Sequence, residues 1–192
     1  MKEEMNLYKI VRPILSIIFK LLYIPQIIGK ENIPKTGGAV IAGTHIWYFD
    51  PIAIMASTKR NVYFIAKKEL HEGKFKHIFK AAGTIPVDRS TKNPLARAKA
   101  ENVLRDGKLI GIFPEGTTKK QKGELLPFKY GAVSMAQKAN VQIIPLAIIG
   151  NYRPFSRVKI IYGEAINIEG FSLEEANALL RTKIVELINN NS

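Results

Sequence analysis

The sequence is poor in the residues that build metal and redox sites. It has 192 residues, no cysteine and only three histidines. The absence of Cys excludes a disulfide scaffold, a thiolate nucleophile, an iron–sulfur cluster and a Cys-bound structural zinc. His45, His71 and His77 are too few for a His-rich metal site. We therefore expect a protein that works without a metal and without a bound cofactor.

The chain also lacks an uninterrupted hydrophobic run. Residues 5–29 are its most apolar stretch, whereas a membrane-spanning helix needs about 20 predominantly apolar residues. Three basic residues interrupt this stretch and two prolines break its helical pattern, namely Lys9, Arg12, Lys20, Pro13 and Pro25. Because the stretch has no small-residue cleavage site, we do not interpret it as a signal peptide.

A helical wheel places five apolar side chains of this stretch on one face and Lys20 on another. The five are Ile14, Ile17, Ile18, Leu21 and Leu22. This pattern favours a helix that lies in the membrane interface with its basic side chains toward the headgroups. We therefore predict that residues 1–29 are a membrane-associating amphipathic segment, which places the protein peripherally or monotopically on the cytoplasmic face of the cell membrane. The alternative is a helix packed on the domain's own core.

Negative charge is scarce, because 29 Lys and Arg stand against 16 Asp and Glu and give a net charge of +13. Such an excess implies an anionic partner, which is a nucleic acid, an anionic membrane or a phosphorylated substrate. The chain has no Walker A loop, no G-x-G-x-x-G after a strand, no G-x-S-x-G nucleophile elbow and no RNA-binding aromatic signature. We therefore predict an anionic phospholipid membrane and no nucleic acid as partner.

Strand-like apolar runs alternate with helix-like segments from residue 30 onward. Strands are predicted at 39–42, 62–66, 84–87, 109–113, 141–149 and 158–162. Helices are predicted from Asp50-Pro51, at 74–81, from Asn93 to about Asp106, at 128–139, and after a capping box formed by Ser172 and Glu175. This alternation indicates an α/β fold with a largely parallel sheet flanked by helices. Residues 30–192 contain no linker or repeat, so we predict that they form one domain.

The first candidate for chemistry is His45, which is followed after four intervening residues by Asp50. The pair follows the end of a predicted strand, where open α/β sheets bind their ligands. A loop that brings Asp50 to Nδ1 of His45 leaves Nε2 free to take a proton from a substrate hydroxyl. The alternative is structural: Asp50 caps the next helix and His45 is an ordinary loop residue.

A second candidate lies in residues 112–117, where Glu115, Gly116 and Thr117 follow a predicted strand. A carboxylate beside Gly can hydrogen-bond a polyol, since Gly lets the backbone come close. The alternative is a surface turn.

Two further segments carry a single notable residue each. Arg89 offers a planar guanidinium that suits a phosphate, or it pairs with an acid such as Asp88 at the surface. Pro145 interrupts an apolar run, so we expect it at a sheet edge or a bulge, whether its role is functional or purely structural.

Taken in order, the blocks His-x4-Asp, Ile-Pro-Val-Asp-Arg, Phe-Pro-Glu-Gly-Thr and Ile-Pro resemble those of the lysophosphatidic acid acyltransferase family, the 1-acyl-glycerol-3-phosphate acyltransferases. Residues 66–70 (Ala-Lys-Lys-Glu-Leu) and 128–132 (Phe-Lys-Tyr-Gly-Ala) match as well. The resemblance covers residues 30–165, and it implies that residues 30–192 are an acyltransferase domain.

The resemblance implies a role for each candidate. His45 would be the general base and Asp50 its orienting partner. The substrate-binding residues would be Arg89 for the acceptor phosphate, Glu115, Gly116, Thr117 and Lys129 near the glycerol-phosphate, and Pro145 on the acyl-chain side. The third block departs from the family pattern Glu-Gly-Thr-Arg, because Thr118 stands where the family has Arg. Lys119, Lys120 or Lys122 is a candidate replacement for the lost cation.

The implied reaction moves a fatty acyl group from a thioester of acyl carrier protein or CoA to the free sn-2 hydroxyl of 1-acyl-glycerol-3-phosphate (lysophosphatidic acid) and yields phosphatidic acid. With no Cys in the chain and no Ser beside His45, a covalent acyl-enzyme is disfavoured. Two alternatives remain open. One is a different acceptor, either another lysophospholipid or glycerol-3-phosphate; the other is a non-catalytic basic domain that binds membranes or nucleic acid.

Overall fold

The structure is a computed structural model that describes residues 2–73, 76, 83–87, 94–118 and 124–191. In these residues seven strands form one sheet. The strands are β1 (Gln26–Ile28), β2 (Ala39–Gly43), β3 (Val62–Lys67), β4 (Thr84–Val87), β5 (Leu109–Ile112), β6 (Gln142–Gly150) and β7 (Val158–Tyr162). Their order across the sheet is β1-β7-β6-β2-β5-β3-β4. All neighbours are parallel except β6 and β7, which confirms the predicted largely parallel sheet.

Helices cover both faces of this sheet. In the described ranges they are α1 (Lys2–Tyr23), α2 (Asp50–Ser57), α3 (Pro94–Arg105), α4 (Gly131–Ala139) and α5 (Leu173–Asn189), with short 3₁₀ turns at Lys30–Asn32 and Lys68–His71. The side chains of β2 alternate between two buried clusters, as successive strand positions must. Ala39 and Ile41 join a cluster with residues of α1 and α2, whereas Val40 and Ala42 join one with residues of α3, α4 and α5.

Most predicted elements are found close to their predicted bounds. The strands predicted at 84–87 and 158–162 match, and the Ser172–Glu175 capping box begins α5 as expected. Gly107 adopts a φ of 71° just after α3, and its N–H donates to the Leu104 carbonyl, which ends that helix. The helix predicted at 128–139 begins only at Gly131. The helix predicted at 74–81 lies, apart from residue 76, outside the described residues.

Pro145 lies inside β6, which is a central strand rather than an edge. The β6–β7 ladder ends there at the pair Leu146 and Tyr162, and the next bridge joins Ile143 to Ile166. Between these two pairs, the chain after β7 has one more residue than β6 has. This extra residue forms a bulge. The Pro145 carbonyl still accepts from Gly163 N at 2.8 Å. The expected bulge is thus present, and it accommodates a residue that has no N–H to donate.

Helix α1 has one face in the core and one face exposed. Phe19 is buried, and Leu15 and Tyr23 pack against the same cluster. The five apolar residues that the helical wheel placed together are the exposed ones, from Leu22 at 37% to Leu21 at 69%. Among the described residues, no helix is both long and apolar enough to span a bilayer. The domain boundary at residue 29 stays a prediction, and β1, just before it, pairs with β7 in the sheet.

Arg12 joins α1 to α2. Its guanidinium donates to the carbonyls of Met55, Thr58 and Lys59. These carbonyls lie at the C-terminal end of α2, where the last turn of a helix lacks partners of its own. α1 therefore closes the end of α2, whose first residue is Asp50.

Candidate active site

The loop after β2 is fixed against β6 before it reaches His45. A β-carbon at Gly43 would collide with the backbone of Leu146, so this close approach requires Gly. The buried Thr44 hydroxyl accepts from Ile148 N at 2.9 Å and donates to Ile148 O at 3.3 Å. The backbone that carries His45 thus starts from a fixed point at the carboxyl edge of the sheet.

His45 and Asp50 form a dyad. Nδ1 of His45 lies 2.7 Å from Oδ2 of Asp50, and the side chain of His45 is 19% exposed while that of Asp50 is fully buried. Because a carboxylate only accepts hydrogen bonds, Nδ1 carries the proton and Nε2 is left as the acceptor nitrogen of the neutral ring. In the described part of the chain, Nε2 has no hydrogen-bond partner.

Asp50 also holds the loop that separates it from His45. Its Oδ2 accepts from the N–H groups of Ile46 at 2.7 Å and Trp47 at 3.0 Å, and its Oδ1 accepts from the Tyr152 hydroxyl at 2.6 Å. The alternative in which Asp50 caps α2 is wrong: the N-cap position belongs to Phe49, and Asp50 is the first residue of the helix. Its carboxylate points back to the loop rather than forward to the helix N–H groups.

The imidazole of His45 is stacked on Phe113. The ring centroids are 4.1 Å apart and the planes differ by 11°. Phe113 follows β5, which pairs with β2, so the stacked rings come from neighbouring strands. Two independent contacts, the hydrogen bond to Asp50 and this stack, therefore fix the orientation of His45.

Glu115 is buried (4% exposed) and both of its oxygens accept backbone N–H groups. Oε1 accepts from His45 N and Oε2 accepts from Leu126 N, each at 3.0 Å. The first and third sequence blocks are therefore in direct contact, and Glu115 holds the backbone of His45. The surface-turn alternative for this segment is wrong at Glu115, since a buried carboxylate is not a surface residue.

Gly116, Thr117 and Lys129 lie beside this carboxylate. Gly116 has a φ of 71°, and a β-carbon on it would lie 3.2 Å from Nζ of Lys129. The Lys129 backbone N–H donates to Pro114 O at 3.0 Å, which brings the exposed lysine against the turn. Gly116 and Thr117 are half-buried. An ammonium group thus lies at the rim of the site, close to the block in which Thr118 replaces Arg.

Of the remaining predicted residues, the structure describes only Pro145. Pro145 pairs with Ala42 of β2, three residues before His45, so it belongs to the same neighbourhood below the dyad. Arg89, Lys119, Lys120 and Lys122 lie outside the described residues. No group of three His, Asp or Glu side chains that could hold a metal ion is found in the described ranges.

Two residues of the site were not predicted from the sequence. Phe113 belongs to the Phe-Pro-Glu-Gly-Thr block, but an apolar ring carries no polar signal of its own. Tyr152 stands two residues after the end of β6, at the same edge of the sheet as His45. Its position after a strand end is the sequence signal that marks it.

The family of the protein follows from a comparison with known protein families. The acyltransferase family model matches residues 25–149, which is more than half of the chain, and the protein belongs to this family. It is therefore an enzyme, and the non-catalytic alternative is set aside.

Individual related proteins give a more specific comparison than the family model does. The chain is 32% identical over 176 residues to the 1-acyl-sn-glycerol-3-phosphate acyltransferase of Bacillus subtilis, covering 86% of this chain and 85% of that protein. It is 34% identical to the enzyme of the same name from Borreliella burgdorferi, covering 73% of this chain and 56% of that protein. The crystal structure of the 1-acyl-sn-glycerophosphate (LPA) acyltransferase from Thermotoga maritima superposes with a TM-score of 0.79 at 24% identity, covering 96% of this chain and 81% of that one. This last likeness concerns the fold.

Proposed function

We propose that the protein transfers a fatty acyl group from an acyl thioester to the free sn-2 hydroxyl of 1-acyl-glycerol-3-phosphate and so produces phosphatidic acid. The names of the Bacillus subtilis and Borreliella burgdorferi relatives support this acceptor. The observation that carries the proposal is the 2.7 Å contact between Nδ1 of His45 and Oδ2 of Asp50, on an imidazole that is partly exposed at the carboxyl edge of the sheet.

His45 acts as the general base. Its Nε2 takes the proton of the acceptor hydroxyl while that oxygen attacks the thioester carbonyl. The new C–O bond forms, the tetrahedral oxyanion collapses, the C–S bond breaks, and the leaving thiolate takes the proton from His45. Asp50 keeps Nδ1 protonated and stabilises the imidazolium. General-base catalysis of this kind contributes about 10²–10⁴ in rate.

The acceptor is bound by its phosphate and glycerol. Lys129 and Arg89 supply cations, and the turn formed by Glu115, Gly116 and Thr117 lies next to Lys129. Glu115 supports this turn and the His45 backbone through the two N–H groups that it accepts. Because Thr118 stands where the family has Arg, another lysophospholipid or glycerol-3-phosphate remains the second candidate acceptor.

The thioester is a co-substrate, and the reaction needs neither a metal nor a bound cofactor. Acyl carrier protein and CoA are the two candidate carriers. Both are anionic, which suits a chain with a net charge of +13. Pro145 is assigned to the acyl-chain side of the site, where each buried CH₂ contributes about 0.8 kcal/mol.

The acyltransferase assay tests the proposal directly. Purified protein with lysophosphatidic acid and each thioester should yield phosphatidic acid, identified by mass spectrometry. His45→Ala should remain folded and lose this product, whereas His71→Ala, a histidine that contacts Thr84 instead, should keep it. A panel of acceptors decides between the two candidates, and preserved turnover in His45→Ala would remove the general-base assignment.

The protein is further proposed to lie on the cytoplasmic face of the cell membrane through the exposed apolar face of α1. Vesicles that contain anionic phosphatidylglycerol should retain the wild type in a sedimentation assay, since apolar burial and charge attraction act together. Ile17→Asp combined with Leu21→Asp should release it. Leu95→Asp, an exposed leucine on α3 across the sheet, is the matched control and should stay bound. Equal binding of all three proteins would contradict the proposal.

A further inference from the structure

We propose that Tyr152 is a positioning residue of the active site: its hydroxyl fixes the Asp50 carboxylate, and its ring couples that carboxylate to helix α1. The inference deepens the proposed function, because it takes His45 and Asp50 as the dyad that carries out acyl transfer. The Tyr152 hydroxyl donates to Asp50 and not to His45, so we assign it a role that acts through Asp50.

The two oxygens of Asp50 have unequal surroundings. Oδ2 accepts from three donors, which are Nδ1 of His45 and the N–H groups of Ile46 and Trp47. In the described part of the chain, Oδ1 accepts from the Tyr152 hydroxyl alone. The Tyr152 hydroxyl is therefore one of four donors that set the orientation of the carboxylate toward His45. Removing it weakens that restraint and leaves a buried oxygen without its donor.

The hydroxyl stays a donor throughout the working pH range. Burial, and then the charge of Asp50, raise the pKa of Tyr152 far above its usual range. The group therefore does not lose its proton under conditions in which the protein is folded, and its contact with Oδ1 is present whenever the dyad works.

The ring of Tyr152 lies within an aromatic cluster that includes α1. Its centroid is 5.3 Å from that of Tyr23, 6.1 Å from that of Phe19 and 6.2 Å from that of Phe49. Phe19 and Tyr23 belong to α1, and Phe49 immediately precedes Asp50. Edge-to-face pairs of this kind have defined geometry. A change in how α1 packs therefore moves Tyr152, and with it Oδ1 of Asp50, which accepts from the Tyr152 hydroxyl.

The first experiment removes only the hydroxyl. Tyr152→Phe should lower kcat about tenfold, as expected for a lost hydrogen bond to a charged group, while KM for acceptor and thioester changes less than about twofold. In protein labelled with ¹⁵N-histidine, the downfield Nδ1 proton signal of His45 should shift or broaden. Tyr162→Phe is the matched control, because this buried tyrosine on β7 contacts Ser57 and not the dyad. It should leave both kcat and the His45 signal unchanged.

The second experiment tests the coupling to α1 while Tyr152 is intact. Phe19→Leu should lower kcat and shift the same histidine signal in the same direction, but less. In a Tyr152→Phe background, Phe19→Leu should have no further effect on kcat, because residues that act through one contact are not additive.

Three outcomes would overturn the proposal: a His45 signal that Tyr152→Phe leaves in place, a loss confined to KM, or effects of Phe19→Leu and Tyr152→Phe that simply multiply. If Tyr152→Phe fails to fold, the His45 signal in Phe19→Leu decides instead. Absence of acyl transfer in the wild type would count against the proposed function alone, since the histidine signal reports the Tyr152 contact without any substrate.

Discussion

The two edges of the parallel sheet both hold charged side chains that bind loop backbone, but the charges have opposite signs. At the carboxyl edge, Asp50 and Glu115 are buried and accept N–H groups of the loops after β2 and β5. At the amino edge, Arg60 donates to the carbonyls of Pro34, Gly37 and Gly107, which precede β2 and β5. Each charged side chain therefore forms hydrogen bonds with loop backbone groups that have no backbone partner.

The two edges differ in whether the charged side chain leaves a reactive group available. Burial lowers the pKa of the half-buried Arg60. Its guanidinium donates hydrogen bonds to three carbonyls and presents no reactive group. Asp50, in contrast, orients an imidazole whose Nε2 remains available. Under the proposed function the carboxyl edge therefore combines loop support with catalysis, whereas the contacts of Arg60 at the amino edge support loops. Three substitutions, ordered by expected effect, test this division, and a fourth at the cap of α5 is a reference outside it.

The largest effect is expected for Asp50→Asn. An amide at this position cannot accept all four hydrogen bonds, so His45 loses its tautomer and orientation, and kcat should fall by about 10³–10⁴. Initial rates of phosphatidic acid formation measure the loss, with circular dichroism to confirm the fold. Asp106→Asn, an exposed aspartate just before β5 at the amino edge, should keep full activity. Activity within a few-fold of the wild type in Asp50→Asn would refute the role of the carboxyl edge.

Glu115→Gln should affect both activity and stability. The amide nitrogen would face a backbone N–H, which leaves one buried donor unpaired at a cost of about 1–3 kcal/mol. Because one of these donors is His45 N, kcat should fall as well, by about tenfold to a hundredfold. Urea unfolding and initial rates measure the two effects together. Glu101→Gln on α3 provides the control, and a stability loss in Glu115→Gln without a rate loss would separate loop support from chemistry.

Arg60→Met should affect stability alone. Three carbonyls at the amino edge lose their donor, and the free energy of unfolding should fall by about 2 kcal/mol, while kcat at a temperature well below unfolding stays within about twofold. Arg181→Met, an exposed arginine on α5, is the matched control with no expected change. A marked fall in kcat would mean that the amino edge also shapes the site.

The smallest effect is expected for Ser172→Ala, which removes the side-chain cap of α5 and leaves the contacts of Asp50, Glu115 and Arg60 in place. The loss should be about 1 kcal/mol, which corresponds to a fall in Tm of about 2–4 °C. The backbone N–H and then the side chain of Ser172 lower the pKa of Glu175. A lowered carboxyl pKa stabilises the folded chain above the unfolded pKa and is lost as pH falls through the folded one. Because Ala keeps the backbone N–H, only the contribution of the hydroxyl to this shift is lost, so the Tm difference should narrow only slightly below pH 4.5.

Elements with a strong local pattern were predictable from the sequence. The strand at 158–162 follows from its β-branched and aromatic residues, and the exposed face of α1 follows from helical spacing. The dyad was predictable because His45 and Asp50 are five residues apart and follow a strand. Glu115 was predicted as a site residue, but its contact with His45 N joins residues 70 apart in the chain, which no local pattern encodes.

Long-range polar contacts account for what was missed. The Tyr152 hydroxyl reaches Asp50 across 102 residues, and no local sequence pattern around Tyr152 marks it as a donor to that carboxylate. The cap assignment for Asp50 failed for a related reason. Local preference places an aspartate before a helix, whereas the folded loop offers it an imidazole, a phenol and two N–H groups at once.

The contact of Arg12 with the last carbonyls of α2 has a practical consequence for anyone preparing this enzyme. Removing α1 to improve yield would take the Arg12 donor away from the carbonyls at the C-terminal end of α2. It would also remove aromatic packing beside the N-terminal end of α2, where Asp50 is the first residue. A truncated protein that dissolves well but has little activity would then report damage to α2, which carries Asp50, and not only the loss of the proposed membrane contact of α1.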